Sequence, residues 1–392
     1  MIKCEYLILG GGIAGWTAAE TLRAALPEAE IILVNEEKHP LYSRVLLPLY
    51  VKGKIPREKV FLRPPDYLAK NNIKSFAGAR AIGVNPASKT AALNNGGEIN
   101  YQKLLIATGG APAAVEEKNL PGAHFFRTLD DADGIVSGLG SLRAGAPCAA
   151  LGSSFIALEF PSIFEKFGMK TLLAMRGPGF FHRLLDRDSM DLIEAEIIRH
   201  GGQVLKNQKD FETVEADFFG LGLGMEKNTD FARAAGIGAE TGILTNEYLE
   251  TNIPDIWAAG DVAEFYDVIA GKHRISGNWM NAEAQGRMAA ANMMGEHLRF
   301  ETVSSYSMPV FNLAITFVGD VAADESTKII IRCSREAKSL VRILIKDNLA
   351  RGATLLGRNL DRGPLTALIG RRAPLAVRPE LSDPDFDLKQ LL

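Results

Sequence analysis

Six residues, GGGIAG at 10–15, set the terms for how this chain folds, because they stand between two apolar runs, EYLIL at 5–9 and IILVN at 31–35. Short apolar runs bounded by turn residues read as strands buried on both faces, as in parallel sheets. The stretch WTAAETLRAAL that follows the turn reads as a helix, which Pro27 ends or kinks. Strand, glycine turn, helix and strand within about 30 residues make a βαβ unit, the context in which a G-x-G-x-x-G pattern acquires meaning. Of Gly10, Gly12 and Gly15, the first permits a tight turn, the second lets a pyrophosphate approach the backbone, and the third packs helix against strand. The helix N-terminus then offers free N–H groups and the positive end of its dipole to an anion. Glu36 and Glu37 follow about 20 residues on, where a carboxylate accepts hydrogen bonds from a ribose. The plain alternative is a glycine turn in an α/β fold that holds no ligand.

The chain has 392 residues, room for two or three domains at about 100–200 residues each. Residues 74–105 carry shorter alternating stretches with a turn at 94–97, a small antiparallel section, and LLIATGGAP at 104–112 is a strand ending in glycine. The charged, proline-containing segment 116–122 reads as a linker. CAALG at 148–152 starts a second strand–glycine–helix unit, whose helix runs through about Lys166 and is followed by the strand KTLLAM. Further on come a helix at 188–200, a glycine-rich connection at 235–244, a strand DIWAAGD at 255–261 ending at an acid, and a helix at 282–298. The last part is β-rich: KIIIRCS, then SLVRILI–KDNL–ARGATLLG as a hairpin, then a short helix at 363–371.

Composition removes whole classes of function. Hydrophobic residues make up 47% and charged residues 23%, a globular balance with ample apolar surface to bury. With 44 basic and 47 acidic residues, the net charge of −3 supplies no pull toward nucleic acid. No apolar run reaches the ~18 residues of a membrane span, and the N-terminus does not read as a secretion signal, so the expectation is a cytoplasmic protein. Cys4, Cys148 and Cys333 are far apart and form no C-x-x-C pair, and the six histidines form no H-x-x-x-H pattern, so no metal site is expected.

GGGIAG, YSR at 42–44, ATG at 107–109, LPGAHFFRTLDDADGI, AAGDVA at 258–263 and W-x-x-A-x-x-Q-G at 279–286 together resemble the pyridine nucleotide–disulfide oxidoreductase superfamily. Within it, they are most similar to the branch of NADH:rubredoxin oxidoreductases, ferredoxin reductases and the flavin portion of nitrite reductase large subunits. The resemblance covers most of residues 1–375 and implies an α/β fold of two Rossmann-like domains plus a small C-terminal α/β domain. It divides the chain into a discontinuous FAD-binding domain (1–115 and 245–300), a trimmed NAD(P)-binding-like domain (116–244) and an interface domain (301–392). By that resemblance Gly10, Gly12, Gly15, Glu36 and Glu37 hold the FAD pyrophosphate and ribose, Arg44 reaches the adenosine diphosphate, and the Ala81 backbone meets the adenine. Thr108 and Gly109 line the cofactor, Arg127 lies close to it, Asp261 accepts from the ribityl chain, and Trp279 lies near the isoalloxazine ring. Each has a blander role open to it: surface ion pair for Arg44, strand-end turn for Thr108, helix cap for Asp261, core packing for Trp279.

The thiol relays of other members are missing. The stretch EEKHPLYSRVLLPLYVKG carries no cysteine, so electrons are expected to leave the flavin directly for an external acceptor such as a rubredoxin- or ferredoxin-like carrier. Pro48 stands where relatives have a small polar residue near the ring. The second glycine unit departs further. Ser154 and Ala157 replace glycines after Gly152, and a serine puts a side chain where pyrophosphate passes. Glu159 matches an acid near nicotinamide and flavin, while Arg176 and Arg183 resemble the arginine pair of NADPH-dependent members. From Gly202 to Glu215 there is room for little more than one strand where relatives place a meander. Two readings stay open: an NAD(P)H-dependent FAD oxidoreductase, or an FAD-binding electron-transfer or regulatory subunit that has lost NAD(P)H binding. The C-terminal part, by resemblance, serves acceptor docking or a homodimer.

Overall fold

The computed structural model describes residues 2–113, 115, 120–334 and 338–392, so four positions of the linker reading at 116–122 lie outside the described residues. The helices are α1 (Ile13–Ala25), α2 (Leu47–Val51), α3 (Tyr67–Lys70), α4 (Leu129–Gly140), α5 (Phe155–Lys166), α6 (Arg187–Arg199), α7 (Asp230–Ala234), α8 (Trp279–Met293) and α9 (Arg362–Arg371). The chain forms two compact units, one of residues 1–43, 58–111 and 226–302, the other of 44–57, 112–225 and 303–392. Two of the chain's passages between them fall in the short strands β7 (Gly110–Pro112) and β13 (Met225–Lys227).

The first unit is built on β1 (Ile2–Leu9), β2 (Ile31–Asn35), β3 (Ile73–Ala77), β4 (Ala81–Asn85), β5 (Thr90–Leu93), β6 (Glu98–Ile106) and β15 (Ile256–Ala258). Their order is β3-β2-β1-β6-β5-β4, with β15 also on β6. The strands from β3 to β6, and β15, run parallel, while β4, β5 and β6 pair antiparallel, as the alternating stretches predict. The apolar run of β1 has to serve two cores: Ile8 packs with α1 and α8 on one face, Leu7 and Leu9 with the β4–β5 side on the other. A Cβ at Gly286 would stand 2.1 Å from the Ala14 carbonyl oxygen, so this glycine lets α8 press directly on α1. A small sheet of β14 (Ile243–Thr245), β16 (Ala263–Asp267) and β17 (Lys272–Arg274) completes the unit.

The second unit holds an all-parallel sheet ordered β11-β10-β9-β12-β8, from β8 (Ala123–Phe125), β9 (Pro147–Leu151), β10 (Lys170–Ala174), β11 (Gln203–Leu205) and β12 (Phe218–Leu221). Only three residues of the 202–215 stretch are strand. The rest folds back as a cover: the Asn207 and Gln208 amides bond to the carbonyls of Gly177 and Met175, and Phe211 and Val214 pack on Leu151, Phe219 and Leu221. The same unit carries an antiparallel sheet ordered β18-β19-β22-β21-β20, from β18 (Ser305–Val310), β19 (Leu313–Gly319), β20 (Lys328–Ser334), β21 (Ser339–Lys346) and β22 (Leu349–Leu356). β21 and β22 form the predicted hairpin, turned by Asp347 and Asn348 at φ +53° and +57°, the left-handed pair of a tight two-residue loop.

The helix read at 282–298 is displaced: it spans Trp279–Met293. It starts early because the Asn278 side chain caps it, accepting from the Asn281 amide at 3.0 Å. It stops early because Asn292 turns its side chain onto Tyr248 and Leu298, and Gly295 leaves the helix at φ +102°. Among the described residues no helix is long and apolar enough to cross a membrane.

Candidate functional site

In the first unit the turns after β1, β6 and β15 lie together at the C-terminal edge of the parallel strands, where open α/β sheets hold their ligands. Gly10 has φ +116°, and a Cβ there would sit 2.2 Å from the Ala107 carbonyl oxygen and 2.9 Å from the Thr108 nitrogen. A Cβ at Gly15 would lie 2.0 Å from the Gly10 carbonyl oxygen, and one at Gly260, after β15, 3.1 Å from Ala14 Cβ. Those glycines are demanded by packing. Gly12 is not: as N-cap of α1 it faces open space, with nothing within 4 Å of a Cβ built there, and no side chain caps the helix. An α-helix N-terminus left open at a glycine is an anion cradle.

The polar groups around this edge are of the kind a ligand satisfies. Thr108 Oγ1 is buried without a hydrogen-bond partner. Asp261 caps no helix, and its carboxylate has no hydrogen bond or ion pair among the described residues. Gly277 faces it, leaving a Cβ-sized gap 3.7 Å from Asp261 Oδ1. The Gly260 amide donates to buried Gln285 Oε1 at 2.7 Å, which fixes the turn beside Asp261. Gly109 follows Thr108 at φ +64°. Past β2, Glu37 Oε2 accepts from the Tyr42 hydroxyl at 2.5 Å, while Glu36 is exposed, 3.9 Å from Arg80. Ala81 opens β4, buried opposite Leu93, and Trp279 is the first residue of α8, packed against the α1 core. Open cradle, orphaned hydroxyl and unpartnered acid fit the pyrophosphate and ribityl chain of FAD.

Arg44 and Arg127 belong to the second unit and meet there: Arg44 Nη1 donates to the Arg127 carbonyl at 2.7 Å. The Arg127 and Thr128 amides both donate to Asp131 Oδ2, closing the capping box of α4. Around the second glycine turn, Gly152 has φ +120° and a Cβ there would stand 2.3 Å from the Gly222 carbonyl oxygen. Ser154 is the N-cap of α5, yet its hydroxyl donates to that same carbonyl at 2.8 Å and caps nothing. Ala157 packs on Gly222. The Phe181 amide reaches the Ser153 carbonyl at 3.3 Å, and the Phe155, Phe181, Tyr306 and Phe317 rings cluster beside the turn. Arg176 is exposed and lies 4.9 Å above the Phe211 ring, and Arg183 is exposed with no hydrogen bond or ion pair among the described residues.

Glu159 sits one turn into α5. Its Oε2 is buried without a hydrogen bond, and Lys52 Nζ stands 3.7 Å away. Burial pushes the carboxyl above its usual range, and the Lys52 charge partly pulls it back. Lys52 also donates to Ser162 Oγ at 3.2 Å. Lys52 was invisible in the sequence, since nothing local links it to α5. Pro48 is the second residue of α2, the helix that Lys52 follows as C-cap.

The family model described as pyridine nucleotide-disulphide oxidoreductase matches residues 4–286. The chain belongs to this family. Membership makes it an oxidoreductase of a family whose cofactors are FAD and NAD(P)H. It is 28% identical over 368 residues to an NADH-rubredoxin oxidoreductase of Clostridium acetobutylicum, covering 91% of this chain and 92% of that one. It is 26% identical to a biphenyl dioxygenase system ferredoxin–NAD(+) reductase component of Paraburkholderia xenovorans, over 98% and 97% of the two chains. The crystal structure of NADH:rubredoxin oxidoreductase from Clostridium acetobutylicum superposes with a TM-score of 0.82 at 25% identity, covering 96% and 97%. Despite the family's name, all three cysteines here are free; burial pushes the Cys4 and Cys148 thiols up to about 12, leaving both protonated at neutral pH, and Cys333 is exposed.

Proposed function

We propose that this flavoenzyme takes hydride from NAD(P)H and passes electrons from FAD, without a redox disulfide, to an external acceptor such as a rubredoxin- or ferredoxin-like carrier. The reading is carried by the open Gly12 cradle together with the unpartnered Thr108 and Asp261. FAD supplies the redox chemistry when bound. Gly10, Gly12, Gly15 and the α1 N-terminus hold its pyrophosphate, Glu36 and Glu37 its ribose, Ala81 its adenine, Thr108, Gly109 and Asp261 its ribityl stretch, and Trp279 borders its ring. By the same resemblance Arg44 serves the adenosine diphosphate portion and Arg127 belongs close to the cofactor. In this reading 1–115 with 245–300 bind FAD, 116–244 the nicotinamide nucleotide, and 301–392 serve acceptor docking or a homodimer. Gly152, Ser154, Arg176 and Arg183 frame the nucleotide. Glu159, held by Lys52, is placed to set the charge beside the nicotinamide. The names of the relatives in Clostridium acetobutylicum and Paraburkholderia xenovorans support the choice of acceptor.

A second reading has its own support. The Ser154 hydroxyl tied to Gly222 and the Phe181 amide tied to Ser153 narrow the second turn, which favours a flavin subunit that accepts no NAD(P)H. Anaerobic stopped-flow mixing separates the two. The oxidoreductase predicts rapid bleaching of the flavin band by NADH or NADPH. Bleaching by dithionite alone overturns it in favour of the subunit.

A further inference from the structure

The second unit has a cleft of about 530 Å3 that none of the residues assigned above lines, bounded by α2 and the loop after it, by α4, and by the C-terminal end of α5. That volume lies within the ~300–1,000 Å3 of small-molecule sites. Tyr50 and Phe167 give it aromatic walls, and Ile55 and Val136 give it aliphatic ones. Lys54 and Lys166 stand at it as well. Both are exposed, and neither ammonium makes a hydrogen bond or ion pair among the described residues.

The carboxylates nearby are already engaged. Asp133 takes the Tyr50 hydroxyl at 2.7 Å and a two-pronged Arg57 guanidinium at 2.8–3.0 Å. Glu165, beside Lys166, pairs with His200 at 2.8 Å. Neither of these carboxylates pairs with Lys54 or Lys166. The Lys166 stem lies against the α2 loop, its Cε 3.7 Å from where a Cβ of Gly53 would stand. Lys166 is also the last residue of α5, where the helix presents its negative dipole end. This disfavours a multiply charged phosphate. So does a lining without arginine, the Arg57 guanidinium nearby being held by Asp133.

We propose that this cleft is a binding site for a small aromatic carboxylate, its ring between Tyr50 and Phe167 and its charge met by Lys54 and Lys166. Its lining includes no residue of the proposed flavin site or of the second glycine turn. Calorimetric titration of the flavin-loaded protein with 1-naphthoate tests it, with 1-naphthamide as the uncharged control. Expected are saturable 1:1 binding of naphthoate, about tenfold tighter than the amide, and weakening by added salt. The Lys54→Gln/Lys166→Gln double variant keeps its flavin band and melting temperature, because both side chains are exposed, yet loses the preference for the acid. Absence of saturable binding, equal affinity for acid and amide, or an unchanged preference in the double variant overturns the proposal. Binding of an acidic hexapeptide but not naphthoate overturns it in favour of a protein partner.

Discussion

A glycine in a phosphate turn serves either packing or ligand, and here the two kinds are separable residue by residue. Gly15→Ala drives a methyl into the Gly10 carbonyl at 2.0 Å and should cost folding itself, seen as a lowered melting temperature with or without flavin. Gly12→Ala meets open space, so the apoprotein should melt as wild type while the purified protein carries at least about tenfold less tightly held flavin, read from the ratio of visible to ultraviolet absorbance. Equal effects at both positions would refute the cradle. Glu159 makes a pH-dependent prediction. Its carboxyl is raised by burial, so the stability it contributes is full at acid pH and is lost as pH rises through the folded value. Measured against the non-titrating Glu159→Gln, wild type should gain stability as pH falls from about 7 to about 4. A difference that stays flat with pH would show that Lys52 cancels the burial. The glycines were legible because phosphate turns have a spacing; Lys52 was not, because its meeting with Glu159 exists only after α2 and α5 have packed.

At the level of elements, the opening βαβ unit was legible from two apolar runs and one proline, and the β21–β22 hairpin from its polar turn. The ends of α8 were not. Asn278 and Asn292 are polar residues whose capping roles depend on Asn281, Tyr248 and Leu298, so hydrophobic periodicity alone misplaced both ends. The short span at 202–215 was visible as a deficit, but its replacement was not: an irregular segment hides Phe211 and Val214 against the sheet where strands were missing. Phe211 is 1% exposed, and Phe211→Ala should therefore lower unfolding free energy by about 3–5 kcal/mol in urea titration. A loss below about 1 kcal/mol would mean that the segment is a loose surface loop.

For the molecule as a whole, the C-terminal sheet is anchored by a charge that composition cannot reveal. Arg332 is fully buried, 3.4 Å from Asp361, and donates to the carbonyls of Leu381, Pro384 and Phe386. Arg332→Ala leaves Asp361 to Arg358 alone, 3.1 Å away, and strips the side-chain donor from three carbonyls, a loss of about 1–3 kcal/mol by the cost of leaving buried acceptors unsatisfied. Limited proteolysis should then cut after residue 372 first; unchanged cleavage would place the anchor elsewhere.

The contact of Gly286 with Ala14 joins the beginning of the chain to a helix made very late, and β15 seats on β6 across a similar gap. During translation the glycine turn at 10–15 thus emerges long before α8 and Asp261. On the proposed reading the flavin site is complete only once α8 has been made, so nascent chains that end before it are expected to be colourless.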